Sequence, residues 1–237
     1  MILPYDKGVF PRFAQEEIMS VTTLDKPAER EAVLVDQPST SSPPPKKLTV
    51  QEYLERERHS EIRHEFVEGD LFPMSGTTLN HNQIAGNLYA FLYSTFSERD
   101  CVVYMSDIRL RVASDRYRYP DVMALCGVAE VDEETPPCLL NPTLIVEVLS
   151  PFTAGVDRIE KQEEYLAIAS VTDYLIVASD RVRVIHYSRN GNGTWLLTLD
   201  LKIGDTLTIS ALDVVIPVTD LYRKVTFAEV ETTPQLV

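Results

Sequence analysis

The chain has 237 residues, 44% of them hydrophobic, and a formal net charge of −14. This length allows one sizeable hydrophobic core, or one domain with a tail. The acidic excess argues against a protein that coats nucleic acid through a general basic surface, although a nuclease with a local basic strip is compatible with it.

Membrane segments and disulfides are not predicted. No stretch approaches about 18 uninterrupted apolar residues, and the first residues lack the n-region and h-region of a signal peptide. We therefore expect a cytoplasmic protein with no membrane span. The three cysteines, Cys101, Cys126 and Cys138, include no Cys-x-x-Cys pair, and we expect reduced thiols in the core.

The N-terminal part differs in composition from the rest of the chain. Residues 37–47 form a linker rich in proline and serine, which cannot bury apolar surface. We expect residues 1–47 to be a disordered or loosely attached tail. The folded domain is then predicted to span residues 48–237.

The domain is predicted to begin with a short helix. Thr49 and Glu52 have the spacing of a capping box, and Tyr53 and Leu54 follow as the apolar contacts of the helix. A hairpin comes next, with strands at 63–68 and 71–74 and a turn at Gly69-Asp70.

The first long helix is predicted from a repeat of apolar residues at helical spacing, with Asn80 as its cap. The apolar stripe consists of Ile84, Ala85, Leu88, Phe91, Leu92 and Phe96. One face of this helix is therefore expected to pack on the core.

Strand material follows from residue 102 to residue 112 and ends at a turn at Ser114-Asp115. The returning strand carries Asp121, which follows Pro120. Four arginines precede Asp121 on this hairpin: Arg109, Arg111, Arg116 and Arg118. Their side chains either contact phosphates or form an exposed polar strand face.

Glu147 lies in an unusual place, inside the apolar, β-branched run 144–149. Alternation puts Ile145, Glu147 and Leu149 on one face of a strand whose other face is also apolar, as in a strand covered on both sides. An unpaired buried carboxylate costs several kcal/mol. Either a partner cation or a metal ion is therefore expected to compensate Glu147.

The C-terminal half predicts a second helix at about 156–169 and a strand at 174–178, which gives the order helix, three strands, helix, strand. Residues 182–187 and 195–201, separated by a turn at 190–193, are expected to extend the sheet in antiparallel fashion. The final apolar residues, between 207 and 216, are expected to close it.

The acids and a lysine suggest a metal site. Asp121 and Glu147 belong to neighbouring predicted strands, and their hard oxygen ligands suit Mg²⁺ or Mn²⁺. On the second helix, Asp157, Lys161, Tyr165 and Ile168 share one stripe. Lys161 could then orient or deprotonate a water molecule or hold a phosphate. The alternative is an ion pair of Lys161 with Glu147 or Asp157 that performs no chemistry.

In this order and spacing the residues resemble the PD-(D/E)XK nuclease superfamily, and within it the bacterial Uma-two family of restriction-endonuclease-like proteins. The resemblance runs from about Leu48 to Tyr222. Its motifs are Leu-Thr-Val-Gln-Glu-Tyr-Leu at 48–54, His-Glu-Phe-Val-Glu-Gly at 64–69, His-Asn-Gln-Ile-Ala-Gly-Asn-Leu at 81–88, Tyr-Pro-Asp at 119–121, Ile-Val-Glu-Val-Leu-Ser-Pro at 145–151, and Lys161 with Tyr165.

The resemblance implies an α/β restriction-endonuclease-like fold, with a mixed central sheet flanked by helices, and hydrolysis of DNA phosphodiesters by a Mg²⁺-activated water. It implies Asp121, Glu147 and the carbonyl of Val148 as metal ligands and Lys161 as the catalytic lysine. The superfamily usually places this lysine two residues after the glutamate, where this chain has Leu149, whereas the Uma-two-like group supplies it from the next helix.

Accessory roles and partners also follow from the resemblance. Glu65 or His81 could complete the metal shell, and Tyr165 accompanies Lys161. A homodimer acting on DNA is expected. Two rival hypotheses remain: a nuclease fold without activity that binds nucleic acid or a protein partner, and a structural or regulatory protein whose buried acids are charge-paired.

Overall fold

The computed structural model describes residues 46–74, 76–133, 137–149 and 156–227, with the backbone alone for 156–158. The tail predicted at 1–47 lies outside the described residues except for Lys46 and Lys47, so the domain boundary stays a prediction. The helices of the described residues are α1 (Val50–His59), α2 (Leu79–Thr95), α3 (Val156–Ala167) and α4 (Val218–Leu221).

The strands of the described residues form three sheets. The central sheet contains β3 (Cys101–Met105), β6 (Val122–Cys126), β8 (Leu144–Leu149), β9 (Asp173–Ala178), β10 (Val184–Arg189) and β11 (Trp195–Leu201). The second sheet contains β1 (His64–Val67), β2 (Asp70–Pro73), β4 (Arg109–Ala113), β5 (Arg116–Arg118) and β7 (Cys138–Leu139). A separate hairpin joins β12 (Thr206–Ile209) and β13 (Val214–Pro217).

The central sheet confirms the predicted architecture. Its strand order is β11-β10-β9-β8-β6-β3, with β8 and β9 parallel and the other pairs antiparallel. Along the chain, α2 is followed by three strands of this sheet, then by α3 and the strand β9. The predicted order helix, three strands, helix, strand is therefore correct for this sheet, and β10 and β11 form the predicted antiparallel extension.

Helices cover both faces of β8. Leu144, Val146 and Val148 pack in one hydrophobic cluster with the buried stripe of α2, whereas Ile145 packs in another cluster with Tyr165 of α3. This burial confirms the alternation predicted from sequence. It also places Glu147, which shares the face of Ile145, on the side of the sheet that α3 covers.

The first elements form close to where they were predicted, but the hairpin turn lies one residue earlier, at Glu68-Gly69 instead of Gly69-Asp70. Thr49 and Glu52 complete a capping box at α1, and Tyr53 and Leu54 are buried. The β1–β2 hairpin turns at Glu68 and Gly69, whose φ angles are 48° and 96°. A Cβ atom at position 69 would lie 2.6 Å from the Cβ of Lys47, so the turn requires glycine there.

The N-cap of α2 was predicted two residues too late, at Asn80 instead of Thr78. Thr78 caps the helix through the backbone N–H of His81. Asn80 lies inside the first turn, and its side-chain amide donates to the carbonyls of Ser179 and Thr226. Threonine and asparagine are both common N-cap residues, but the side-chain amide of Asn80 is used in these two tertiary hydrogen bonds.

The strand predicted at 102–112 is two strands in different sheets. Ser106 adopts a left-handed conformation, with φ of 57°, and its N–H donates to the carbonyl of Asp121. This turn sends β3 into the central sheet and β4 into the second sheet. The residues expected to close the central sheet likewise form the separate β12–β13 hairpin, because their apolar side chains pack over the α2 face of the core.

The prediction of three reduced thiols is wrong for two cysteines. Cys101 and Cys126 are partners in the antiparallel β3–β6 register and form a disulfide. Cys138 is a free, buried thiol, as predicted. Within the described part of the chain, no helix has the length and apolar character needed to cross a membrane.

Candidate active site

A cavity of about 820 Å³ brings the predicted acids and the lysine together. Glu65 enters it from β1, Asp121 from the residue before β6, Glu147 from β8 and Lys161 from α3. His81 and Val148 also line it. Five segments that are distant in sequence therefore meet at one site.

Glu147 is almost fully buried, with 5% of its surface exposed. The hydroxyl of Tyr165 donates to its Oε1 at 2.7 Å, and the Nζ of Lys161 lies 3.9 Å from the same oxygen. Burial raises the pKa of Glu147 to about 7; the charge of Lys161 opposes this shift, and the charges of Asp121 and Glu65 add to it. The carboxyl is thus held near its point of titration at neutral pH.

Asp121 lies beside Glu147, as expected from the pairing of β6 with β8. Its Oδ2 accepts the backbone N–H of Val148 at 2.7 Å and lies 3.1 Å from the Nε2 of His81. Burial lowers the pKa of His81, but the hydrogen bond with Asp121 and the charges of Asp121 and Glu147 outweigh it and raise that pKa above its ordinary value. The two acids therefore favour the charged form of His81.

The Nζ of Lys161 lies closer to Glu65 than to Glu147, at 2.8 Å from the Glu65 Oε1. The stripe predicted on the second helix thus directs both Lys161 and Tyr165 to the acids. The alternative ion pair of Lys161 with Asp157 stays untested, because the side chain of Asp157 is not among those that the structure describes. The ammonium of Lys161 bridges two carboxylates that come from different sheets.

Glu164 was not singled out from the sequence, and Arg118 was expected either to contact a phosphate or to lie on an exposed strand face. Arg118 contacts Glu65 at 2.8 Å through Nη1 and Glu164 at 2.8 Å through Nε. Arg116 also binds Glu164, at 2.5 Å, and contacts Glu68. Glu164 stands three residues after Lys161, so it adjoins the predicted stripe and the helical period could have identified it.

The arginines of the β4–β5 hairpin do not form one exposed face. Arg109 and Arg118 are buried, each 1% exposed. Arg109 packs over the rings of Tyr53 and Tyr117 and donates to the Sγ of Cys138, and it does not line the cavity. Arg111 lies 3.7 Å from Asp132. Of the four arginines, Arg118 alone lines the cavity.

We predict that Arg118→Ala destabilises the fold strongly. Glu65 is a buried partner of this guanidinium and Glu164 a partly buried one, so its removal leaves carboxylates with reduced compensation and should cost about 3–5 kcal/mol. Urea unfolding measures this loss. Arg111→Ala is the control, because its partially exposed pair should be worth at most about 1 kcal/mol. Equal losses for the two variants would contradict the assigned role of Arg118.

The side chains of the cavity include ligands that suit a divalent cation. Asp121 and Glu147 supply hard carboxylate oxygens on one cavity wall, and Mg²⁺ typically takes one or two carboxylates and several waters. Among the described residues, no three His, Cys, Asp or Glu side chains converge in metal-binding geometry. The chemistry therefore fits a water-rich Mg²⁺ or Mn²⁺ site and not a cage built of protein side chains alone.

Comparisons with known proteins agree with this fold. The profile of the Uma2 family, described as "Putative restriction endonuclease", matches residues 50–219. Two proteins of Synechocystis sp. are similar, both named as uncharacterized: sll1609, 37% identical over 64% of this chain and 86% of that protein, and slr1290, 32% identical over 80% and 98%.

A solved structure shares the architecture. It is the crystal structure of a "putative nuclease belonging to DUF820" from Anabaena variabilis, 14% identical, with a TM-score of 0.59 over 74% of this chain and 97% of that one. This likeness shows a restriction-endonuclease-like fold, as predicted. Because the family profile covers most of the folded residues, the chain belongs to the Uma2 family.

Proposed function

We propose that this protein is a metal-dependent endonuclease that hydrolyses DNA phosphodiester bonds. The observation that carries the proposal is the convergence of Asp121, Glu147 and Lys161 in one cavity, with the lysine supplied by α3. The descriptions of the Uma2 family and of the structural neighbour support a nuclease. The resemblance to restriction endonucleases supports the choice of DNA and of a divalent cation.

Asp121, Glu147 and the carbonyl of Val148 would hold Mg²⁺ or Mn²⁺. When bound, the cation would activate water for attack on the phosphorus and neutralise charge on the scissile phosphate. The two carboxylates are held by different hydrogen-bond partners. The Val148 N–H and His81 hold Asp121, whereas Tyr165 fixes one oxygen of the buried Glu147.

Lys161 has the position of the catalytic lysine in this proposal. Its ammonium lies between Glu65 and Glu147 and can hold a phosphate oxygen or orient the attacking water. Arg118 fixes the other oxygen of Glu65 and so helps to keep Lys161 in place. This arrangement explains how a lysine from a helix could replace one at the position of Leu149.

Replacement of Lys161 tests the proposal. Lys161→Met should lower the rate of supercoiled plasmid nicking in Mg²⁺ or Mn²⁺ roughly 10²- to 10³-fold, because a positioned cation at the reacting phosphate is lost. Lys202→Met is the matched control, since Lys202 is exposed and does not line the cavity. Equal nicking by both variants would rule out a catalytic role for Lys161.

A second candidate function is a nuclease fold that binds nucleic acid or a protein partner without chemistry. The observation that favours it is that His81, Lys161 and Tyr165 already contact the two acids. A wild-type protein that binds DNA but cleaves none with either metal would support this candidate. The homodimer implied by the resemblance stays a prediction, which sedimentation velocity tests.

A further inference from the structure

The cavity has an apolar wall close to the acids. In the antiparallel β1–β2 pair, Glu65 lies opposite Phe72, so the two side chains project from the same face of the hairpin. Glu65 contacts Lys161 inside the cavity, and Phe72 therefore lies beside this ion pair. The other face of the hairpin, with Phe66 and Leu71, packs against Tyr53 in the core.

This wall is open to a ligand. Phe72 is 51% exposed and Met74 is 36% exposed, although both line the cavity. The apolar wall, as we define it, consists of Val67, Phe72, Pro73, Met74, Ala85 and Met105. A cavity of about 820 Å³ is large enough for a nucleotide.

The charges of the cavity do not suit a long duplex. Glu65, Asp121, Glu147 and Glu160 line it together with the cations Arg118 and Lys161, and both cations contact Glu65. Binding to duplex DNA draws its affinity from many phosphate contacts, whereas binding to single strands adds stacking of bases on aromatic rings. An exposed phenylalanine in a site with few cations favours the second mode.

We propose that the apolar wall binds the base of an unpaired nucleotide, with Phe72 stacked on it, while the neighbouring phosphate lies at Asp121, Glu147 and Lys161. The preferred substrate is then single-stranded or locally unpaired DNA, because a base inside an intact duplex offers no free face to Phe72. The inference rests on the proposed nuclease function for its chemistry, but base binding is measurable without cleavage.

Fluorescence anisotropy in EDTA, with a labelled oligonucleotide as a single strand and as a blunt duplex, measures this binding separately from catalysis. We expect the single strand to bind at least about tenfold more tightly than the duplex, and Phe72→Ala to weaken single-strand binding roughly 5- to 150-fold. Phe72→Trp should retain it. The control is Tyr93→Ala, since Tyr93 is an exposed aromatic residue, 64% exposed, that does not line the cavity.

Thermal melting of each variant identifies any loss of folding, and Phe72→Trp keeps the test valid if the alanine variant unfolds. Duplex binding as tight as single-strand binding, or single-strand binding unchanged in folded Phe72→Ala, would overturn the inference. Failure of the nuclease proposal has a different signature. In that case no DNA is cut in Mg²⁺ or Mn²⁺, while the preference for single strands and its dependence on Phe72 persist.

Discussion

Asp121→Asn and Glu147→Gln should each reduce plasmid nicking by more than about 10³-fold. Both changes keep the size of the side chain and remove one negative charge from the cavity that Lys161 shares. A neutral amide is a poor ligand for Mg²⁺, so neither the cation nor the attacking water would be held for reaction. Gel assays of nicking in Mg²⁺ and in Mn²⁺ measure the rates.

Asp107→Asn provides the matched control for this prediction. Asp107 is an exposed aspartate near β4 that does not line the cavity, so its variant should nick at the wild-type rate. Circular dichroism should show the same fold in all variants. Cleavage at the wild-type rate by either Asp121→Asn or Glu147→Gln would contradict the proposed metal site, which needs both acids.

Glu147→Gln should also stabilise the metal-free protein at neutral and alkaline pH. Burial raises the pKa of Glu147 from 4.5 to about 7 in the folded state. Because the pKa is raised in the folded state, the stabilising contribution of the Glu147 carboxyl is fully present below about pH 4.5. This contribution is lost as the pH rises through about 7. Glutamine does not titrate, and it can still accept the hydroxyl of Tyr165.

The free energy of unfolding of the glutamine variant should exceed that of the wild type by on the order of 2 to 3 kcal/mol at pH 8 and by close to zero at pH 4. Urea unfolding in EDTA at both values measures it. If the acids of the site were structural charge partners, the same substitution would instead cost stability at pH 8. Added Mg²⁺ should stabilise the wild type and leave the variant unchanged, because a ligand stabilises only the fold that binds it.

Local signals in the sequence predicted the elements that depend on neighbouring residues. The capping box of Thr49, the hairpin turn at Gly69 and the buried strand around Glu147 each follow from spacing or alternation within a few residues. The convergence of Asp121 and Glu147 also followed, because neighbouring strands bring their residues together. The helical spacing of Lys161 and Tyr165 then predicted that both side chains lie on the helix face that meets these acids.

Features that depend on distant partners could not be predicted in this way. Asn80 has the chemistry of a cap, but its amide is used by carbonyls of Ser179 and Thr226, far along the chain. The pairing of Cys101 with Cys126 depends on the register of two strands. The sequence left Arg118 as either a phosphate contact or an exposed strand residue, because its partners, Glu65 and Glu164, come from other elements.

Calorimetric titration of Mg²⁺ and Mn²⁺ into wild type and Glu147→Ala tests the central claim, that the two acids form a divalent-metal site. We expect saturable binding to wild type that strengthens as the pH rises through about 7, because the cation displaces the proton of Glu147. No binding to Glu147→Ala is expected. Absence of binding to wild type, or equal binding to both proteins, would contradict the account.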